Sequence, residues 1–138
     1  MKKTVLIALL LCSTCTYAHK IAASKVPSVV NNSFSKNFSN TQNPKWELES
    51  KNYEVSFKQD GKTMSALFDA SGQLLETETV IGINKLPKQV TEYIAGKYKG
   101  AVIKEAATIK KANGTTVYEA EVNGKDLLFD TNGHFINP

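Results

Sequence analysis

The stretch LFDASGQLLE, residues 67–76, returns near the end of the chain as LFDTNGHFIN, residues 128–137. In both copies an apolar Leu-Phe pair leads into Asp-x-x-Gly, which is the residue pattern of a tight turn. Aspartate suits the first turn position because its carboxylate accepts hydrogen bonds from backbone N–H groups further along, and glycine suits the fourth. Each copy therefore predicts a strand, a tight turn and a second strand, with the phenylalanine directed at a helix.

The echo belongs to a longer internal duplication. An apolar residue followed by proline recurs at an offset of 60 residues, and the Phe-Asp-x-x-Gly motif recurs at an offset of 61. Such spacing is typical of a duplicated supersecondary unit, in which each copy is too small to bury its apolar face well alone. The matched segments are Val26-Pro27 and Leu86-Pro87, Tyr53-Glu54-Val55 and Tyr118-Glu119-Ala120, and the two Phe-Asp-x-x-Gly turns.

Each repeat opens with a helix signal. Proline is tolerated at the first helical position, and an apolar residue follows at every fourth position, which places one apolar stripe along each helix. The first helix is rich in asparagine and serine, so its stability must come from packing rather than from propensity. The two stripes are Val26, Val30, Phe34 and Phe38, then Leu86, Val90, Ile94 and Tyr98.

Alternating segments separated by turn dipeptides follow each helix. Asp60-Gly61, Asn113-Gly114 and Asn123-Gly124 favour tight hairpins, so the strands are predicted to be antiparallel. The predicted strands are residues 45–50, 52–58, 63–69, 73–80, 101–110, 115–122, 125–130 and 134–137. We therefore predict an α+β fold of two tandem repeats, residues 26–80 and 86–138, each one helix followed by a four-stranded antiparallel sheet. The helices are expected on one sheet face, and the repeats are expected to share one core.

The N-terminus has the pattern of a secretory signal. Lys2 and Lys3 precede an apolar run at residues 5–11, which is too short to span a bilayer, and Ala18 ends a segment with small residues at the cleavage positions. We predict a signal peptide at residues 1–18 and a domain at residues 19–138, periplasmic or secreted and without a membrane anchor. Both cysteines, Cys12 and Cys15, would be lost with the signal.

Composition argues against two classes of function. All 17 basic residues are lysines, they stand against 13 acidic residues, and loss of Lys2 and Lys3 leaves a net charge of about +2. This is not the dense arginine-bearing stripe of a nucleic-acid reader. The predicted mature chain has no cysteine nucleophile, and a Ser-His-Asp triad would have to be built around His134. We therefore predict no enzyme activity, and we predict no cofactor or metal. A copper site formed by His19 and His134 and a calcium loop at Asp130 are less favoured alternatives.

The quoted motifs resemble the PepSY-like, beta-lactamase-inhibitor-like proteins exported by Bacteroidetes, over residues 26–138. The resemblance implies tandem helix-plus-sheet repeats outside the cytoplasm, no catalysis, and protein binding or inhibition. The alternative is an envelope structural or adaptor module without inhibitory activity. Because alternation makes one sheet face charged, a contact surface for an unidentified protein is predicted there. Its candidate residues are Glu54, Glu119, Glu121, Leu67 and Leu128.

We expect mass spectrometry of the exported protein to show a chain that begins at His19 and lacks both cysteines, because cleavage after Ala18 fits the small-residue pattern. A mature chain that begins with a lipidated cysteine would contradict this expectation.

Overall fold

The computed structural model describes residues 19–137, so the predicted signal peptide lies outside the described residues. The described chain forms one eight-stranded antiparallel sheet, whose spatial order follows the sequence, with two helices. The α+β class and the antiparallel sheet predicted from the sequence are therefore confirmed. The strands are β1 (His19–Ile21), β2 (Gln42–Glu49), β3 (Asn52–Gln59), β4 (Lys62–Phe68), β5 (Leu74–Ile81), β6 (Ile103–Lys111), β7 (Thr116–Val122) and β8 (Lys125–Phe129), and the helices are α1 (Ser28–Asn37) and α2 (Lys88–Lys97).

The same order of elements occurs twice. A strand, a 3-10 turn, a helix and three strands form the first unit, β1 to β4 with α1, and then the second unit, β5 to β8 with α2. The two helices lie 60 positions apart, at the offset predicted from the prolines. The predicted division into one helix followed by four strands differs from this order. β5 pairs with both β4 and β6, and it holds in the second unit the place that β1 holds in the first.

Two further differences lie at the ends of the sheet. β1 was not predicted, because three residues are too short to show a hydropathy period. The strand predicted at residues 134–137 is reduced to a bridge between Phe129 and Phe135 and a hydrogen bond from the Ile136 N–H to the Leu128 carbonyl. The Phe135 ring stacks on Tyr93 of α2, with ring centroids 5.0 Å apart, so the segment packs on the helix.

Both helices depend on packing for their stability. Neither has a side-chain hydrogen bond at its N-terminus, where Pro27 and Pro87 stand one position before the first helical residue. In α1, the ring centroid of Phe34 lies 5.1 Å from that of Phe57 on β3 and 5.5 Å from that of Trp46 on β2. Burial of these rings compensates for the asparagine and serine content of the helix.

The core is divided, which corrects the prediction of one shared core. The buried residues fall into two clusters, one under each helix; Phe68 belongs to the first and Phe129 to the second, and both are fully buried. The register places Thr77 and Thr79 of β5 on the helix side of the sheet, level with Ala66 and Met64 of β4. Polar threonines therefore separate the two clusters, and the β5–β6 backbone ladder joins the units.

The repeated Asp-x-x-Gly turns are hairpin turns, as predicted. In the first, Asp69 Oδ1 accepts hydrogen bonds from the N–H groups of Ser71, at 2.8 Å, and Gln73, at 3.0 Å. Gly72 has φ +85°, and an added Cβ atom there would lie 2.9 Å from the Val29 carbonyl oxygen in the first turn of α1. Only glycine satisfies both the positive φ and this close approach.

The second turn repeats the arrangement. Asp130 Oδ1 accepts hydrogen bonds from the N–H groups of Asn132, at 2.9 Å, and His134, at 2.8 Å. Gly133 has φ +84°, and a Cβ atom there would lie 2.8 Å from the Cβ atom of Gln89 in the first turn of α2. Each turn is thus pressed against the start of the helix of its own unit. The phenylalanine before each turn enters the core beneath that helix.

We expect Gly72→Ala and Gly133→Ala to lower the free energy of unfolding by about 1 to 3 kcal/mol more than Gly114→Ala does. Gly114 is a matched control, because its φ is also +85° but a Cβ atom there would meet nothing within 4 Å. Chemical denaturation of the three variants measures the difference. Equal losses at all three positions would show that the turn–helix contact is unimportant.

Candidate functional site

The two faces of the sheet have different surroundings. Residues that face one another across a strand pair lie on the same face, so the register follows each face from β2 to β8. Among residues 19–137, both core clusters consist of helices, loops and residues of one face only. We call the other side the open face. By register it comprises Lys20, Gln42, Lys45, Glu47, Glu49, Asn52, Glu54, Ser56, Lys58, Thr63, Ser65, Leu67, Glu76, Glu78, Val80, Glu105, Ala107, Ile109, Lys111, Val117, Glu119, Glu121, Asp126 and Leu128.

Acidic residues are concentrated on the open face. By register it holds nine of the chain's 13 acidic residues but only four lysines, although the chain as a whole carries a net positive charge. Most lysines therefore lie on the helices, the turns and the helix side of the sheet. The nine are Glu47, Glu49, Glu54, Glu76, Glu78, Glu105, Glu119, Glu121 and Asp126.

All five residues predicted for binding lie on this face. Glu54 on β3 is directly opposite Leu67 on β4, and Glu119 on β7 is directly opposite Leu128 on β8. These two pairs occupy equivalent places in the two units. Glu121 lies beside them on β7. The structure brings the five residues onto one surface, and their role in binding stays a prediction.

The central glutamates of this charged face are not freely solvated. Glu54, Glu78 and Glu119 are half-buried. Burial and the neighbouring carboxylates raise the pKa of Glu78 to about 7 and that of Glu119 to about 8, and burial also raises the pKa of Glu54. Proximity of like charges in a partly desolvated site disfavours the ionised form of each carboxyl group.

Few cations compensate this charge. Within residues 19–137, the ion pairs formed by open-face carboxylates join Lys104 to Glu121 and Lys111 to Glu76, each with an N–O distance of 3.9 Å. At that distance between partly exposed side chains, such pairs contribute little. Neither Glu78 nor Glu119 takes part in an ion pair with a lysine of residues 19–137.

Glu76, Glu78, Glu105 and Asp126 were missed by the sequence analysis. On β5 the glutamates alternate with Thr77 and Thr79, so both faces of the strand are polar and hydropathy does not distinguish them. The strand register identifies the face of these glutamates, because Glu78 lies opposite Ser65 and Glu76 lies opposite Leu67 on β4.

The alternative metal sites are not assembled. His19 is on β1 and His134 follows β8, at opposite edges of the sheet, which seven strand spacings separate by roughly 30 Å. The alternative of a copper site shared by the two histidines is therefore wrong. Asp130 uses its carboxylate for the turn and for a contact of 3.1 Å with His134 Nδ1. Among residues 19–137, no group of three or more potential ligands is arranged to hold a metal ion.

Two clefts in the described chain are lined by residues other than these carboxylates, and one of the two lies at Lys45, Ser56 and Lys58 on the open face. The other cleft, of about 460 Å³, lies between the end of α1 and the β5–β6 ladder, where Phe38, Thr77 and Lys110 line it. Neither helix among residues 19–137 combines the length and the hydropathy needed to cross a membrane.

Comparison with protein families finds one matching model. The model describes beta-lactamase-inhibitor-like, PepSY-like proteins, and it matches residues 14–76 and, separately, residues 51–137. The two matches indicate a repeat and together extend over most of the chain. A search of curated proteins finds no significant match.

Solved structures from Bacteroides share the fold. A BLIP-like protein from Bacteroides fragilis has a TM-score of 0.65 at 26% identity, over 80% of this chain and 83% of that one. A DUF2874 family protein from Bacteroides uniformis has a TM-score of 0.71 at 18% identity, over 80% and 86% of the two chains. A protein from Bacteroides eggerthii, assigned provisionally to the periplasm, has a TM-score of 0.71 at 16% identity, over 81% and 86%. Because the last two identities are low, these two likenesses show the fold alone.

We expect the protein to become less stable as the pH rises from about 4.5 to 8. The folded-state pKa values of Glu78 and Glu119 lie above the ordinary value of 4.5, so in this interval the unfolded chain releases protons that the folded chain retains. Glu119→Gln should raise the melting temperature at pH 8 by at least about 4 °C and leave it nearly unchanged at pH 4.5.

Glu92→Gln on α2 is the control for this measurement, because it removes the same charge from an exposed side chain, whose ion pair with Lys88 is also exposed and contributes little. Melting curves recorded across the pH range measure the difference between the variants. A Glu119→Gln variant whose melting temperature runs parallel to that of the wild type at every pH would contradict the expectation.

Proposed function

The chain belongs to the beta-lactamase-inhibitor-like, PepSY-like family, and we propose that it is an exported, non-enzymatic module that binds another protein through the open face of its sheet. The related structure assigned provisionally to the periplasm and the predicted signal at residues 1–18 support a site of action outside the cytoplasm. The family description supports inhibition of an enzyme as the outcome of binding.

The observation that carries the proposal is the composition of the open face. Within the described chain both helices lie on the other side, yet Ala107 and Ile109 are only 1% and 2% exposed. The sheet is therefore closely packed around these two residues on the open face as well. Half-buried Leu67 and Leu128 lie at equivalent positions on the same face. Dense, partly apolar surfaces with polar groups around them are typical of protein contacts.

Protein binding accounts for this face better than hydrolysis does. Carboxyl groups with raised pKa values also occur in catalytic sites, where two of them flank a bound substrate. Glu78 and Glu119 stand on a broad sheet face, and each faces a small or aliphatic residue on β6, Ile109 or Ala107. A broad face of this kind suits a macromolecular partner more than a small substrate.

We expect a photo-crosslinking residue at Ser56 to form an adduct with a protein of the cell envelope, and the same residue at Ser35 to form none. Both serines are exposed, but Ser56 lies on the open face of β3 and Ser35 lies on α1. Excess unlabelled protein should suppress a specific adduct, which gel electrophoresis and mass spectrometry would identify. Adducts from Ser35 alone, or from neither position, would contradict the proposal.

The same adduct distinguishes the two forms of the proposal. An inhibitor reduces the activity of the crosslinked partner at equal molar ratio. The alternative, an envelope structural or adaptor module, co-purifies with the partner and leaves its activity unchanged.

A further inference from the structure

The charge of the open face indicates the chemistry of its occupant. Five carboxylates lie on the open face of β3, β5, β6, β7 and β8, with none from the intervening β4. We call them the carboxylate row: Glu54, Glu78, Glu105, Glu119 and Asp126. Adjacent strands are about 4.8 Å apart, so the members on the consecutive strands β5 to β8 are close enough for one partner segment to contact several of them.

The members of the row act on one another. The negative charges of Glu54, Glu105 and Asp126 all reach Glu78, and that of Glu78 is the strongest charge effect at Glu119. The strand ladders thus place these carboxyl groups near one another despite the repulsion between their charges. A positive group placed over the row would reverse this unfavourable interaction.

Apolar surface accompanies the charge. Half-buried Leu67 faces Glu54, and half-buried Leu128 faces Glu119, across the strand pairs. Lysine and arginine side chains combine an apolar stem with a charged end, so they suit a surface on which leucine and glutamate alternate.

On these grounds, and resting on the proposed function, we infer that the open face binds a basic segment of a partner protein, whose lysine or arginine side chains lie over the carboxylate row. Charge complementarity selects this occupant. The open face of a second copy carries the same negative charge, so two copies would repel one another in a face-to-face dimer. Nucleic acids and other polyanions are disfavoured for the same reason.

The probe for this inference is a short blocked peptide of alternating threonine and lysine, titrated into the ¹⁵N-labelled protein. We expect amide shifts on β5, β6 and β7, with affinity that weakens as salt is added and strengthens from pH 6 to 8.5 as Glu78 and Glu119 ionise. A peptide with glutamine in place of each lysine should produce no such shifts.

The decisive comparison uses two double variants with the same change in net charge. Glu78→Gln with Glu119→Gln should weaken binding of the lysine peptide by about tenfold or more. Asp60→Asn with Glu92→Gln should change it by no more than about twofold, because these two side chains lie in the β3–β4 turn and on α2. Melting curves verify that both variants are folded.

Three results would overturn the inference. They are equal loss of affinity in both double variants, amide shifts confined to the helix side, and self-association of the wild type that the Glu78 and Glu119 changes abolish. The last result would show that the carboxylate row binds lysines of a second copy of the chain. If Ser56 crosslinks to a protein but the lysine peptide does not bind, the open face is a binding surface and the inference of a basic partner segment is wrong. If Ser56 forms no crosslink, the proposed function itself is contradicted.

Discussion

The contact between each Asp-x-x-Gly turn and the first turn of a helix is the constraint on which both units depend. Gly72 against Val29 and Gly133 against Gln89 leave no space for a side chain, and they fix where each helix begins relative to the sheet. The phenylalanine just before each turn is then placed in the core beneath that helix. A local backbone requirement thereby determines a long-range packing arrangement.

Holding both helices on one side has a consequence for the other side. Trp46 and Phe57 are directed towards α1, so alternation sends the polar residues next to them in sequence to the open face. Because strand register aligns these positions across the sheet, glutamates that are far apart in sequence become neighbours. The raised pKa values of Glu78 and Glu119 follow from this alignment and from their partial burial.

Local features were predictable from the sequence, whereas features that depend on register were not. The paired turns, the two stripes ending at Phe38 and Tyr98, and the placement of Glu54 and Glu119 on the charged face follow from short-range patterns. The division into two cores depends on Thr77 and Thr79 of β5. Because these threonines and the glutamates beside them are all polar, the sequence does not show which residues of β5 face the helices. The N-terminal β1 is too short to leave any pattern.

The order of the strands also bears on how the chain reaches its native state. Each ladder joins strands that follow one another in sequence, with no crossing connection in the described chain. Short loops or a single helix close every pairing, so little entropy is lost in bringing the strands together. Residues 19–137 contain no cysteine, and no disulfide has to form first. This meander topology favours rapid assembly by successive hairpins, with each helix docking once the three strands after it are in place.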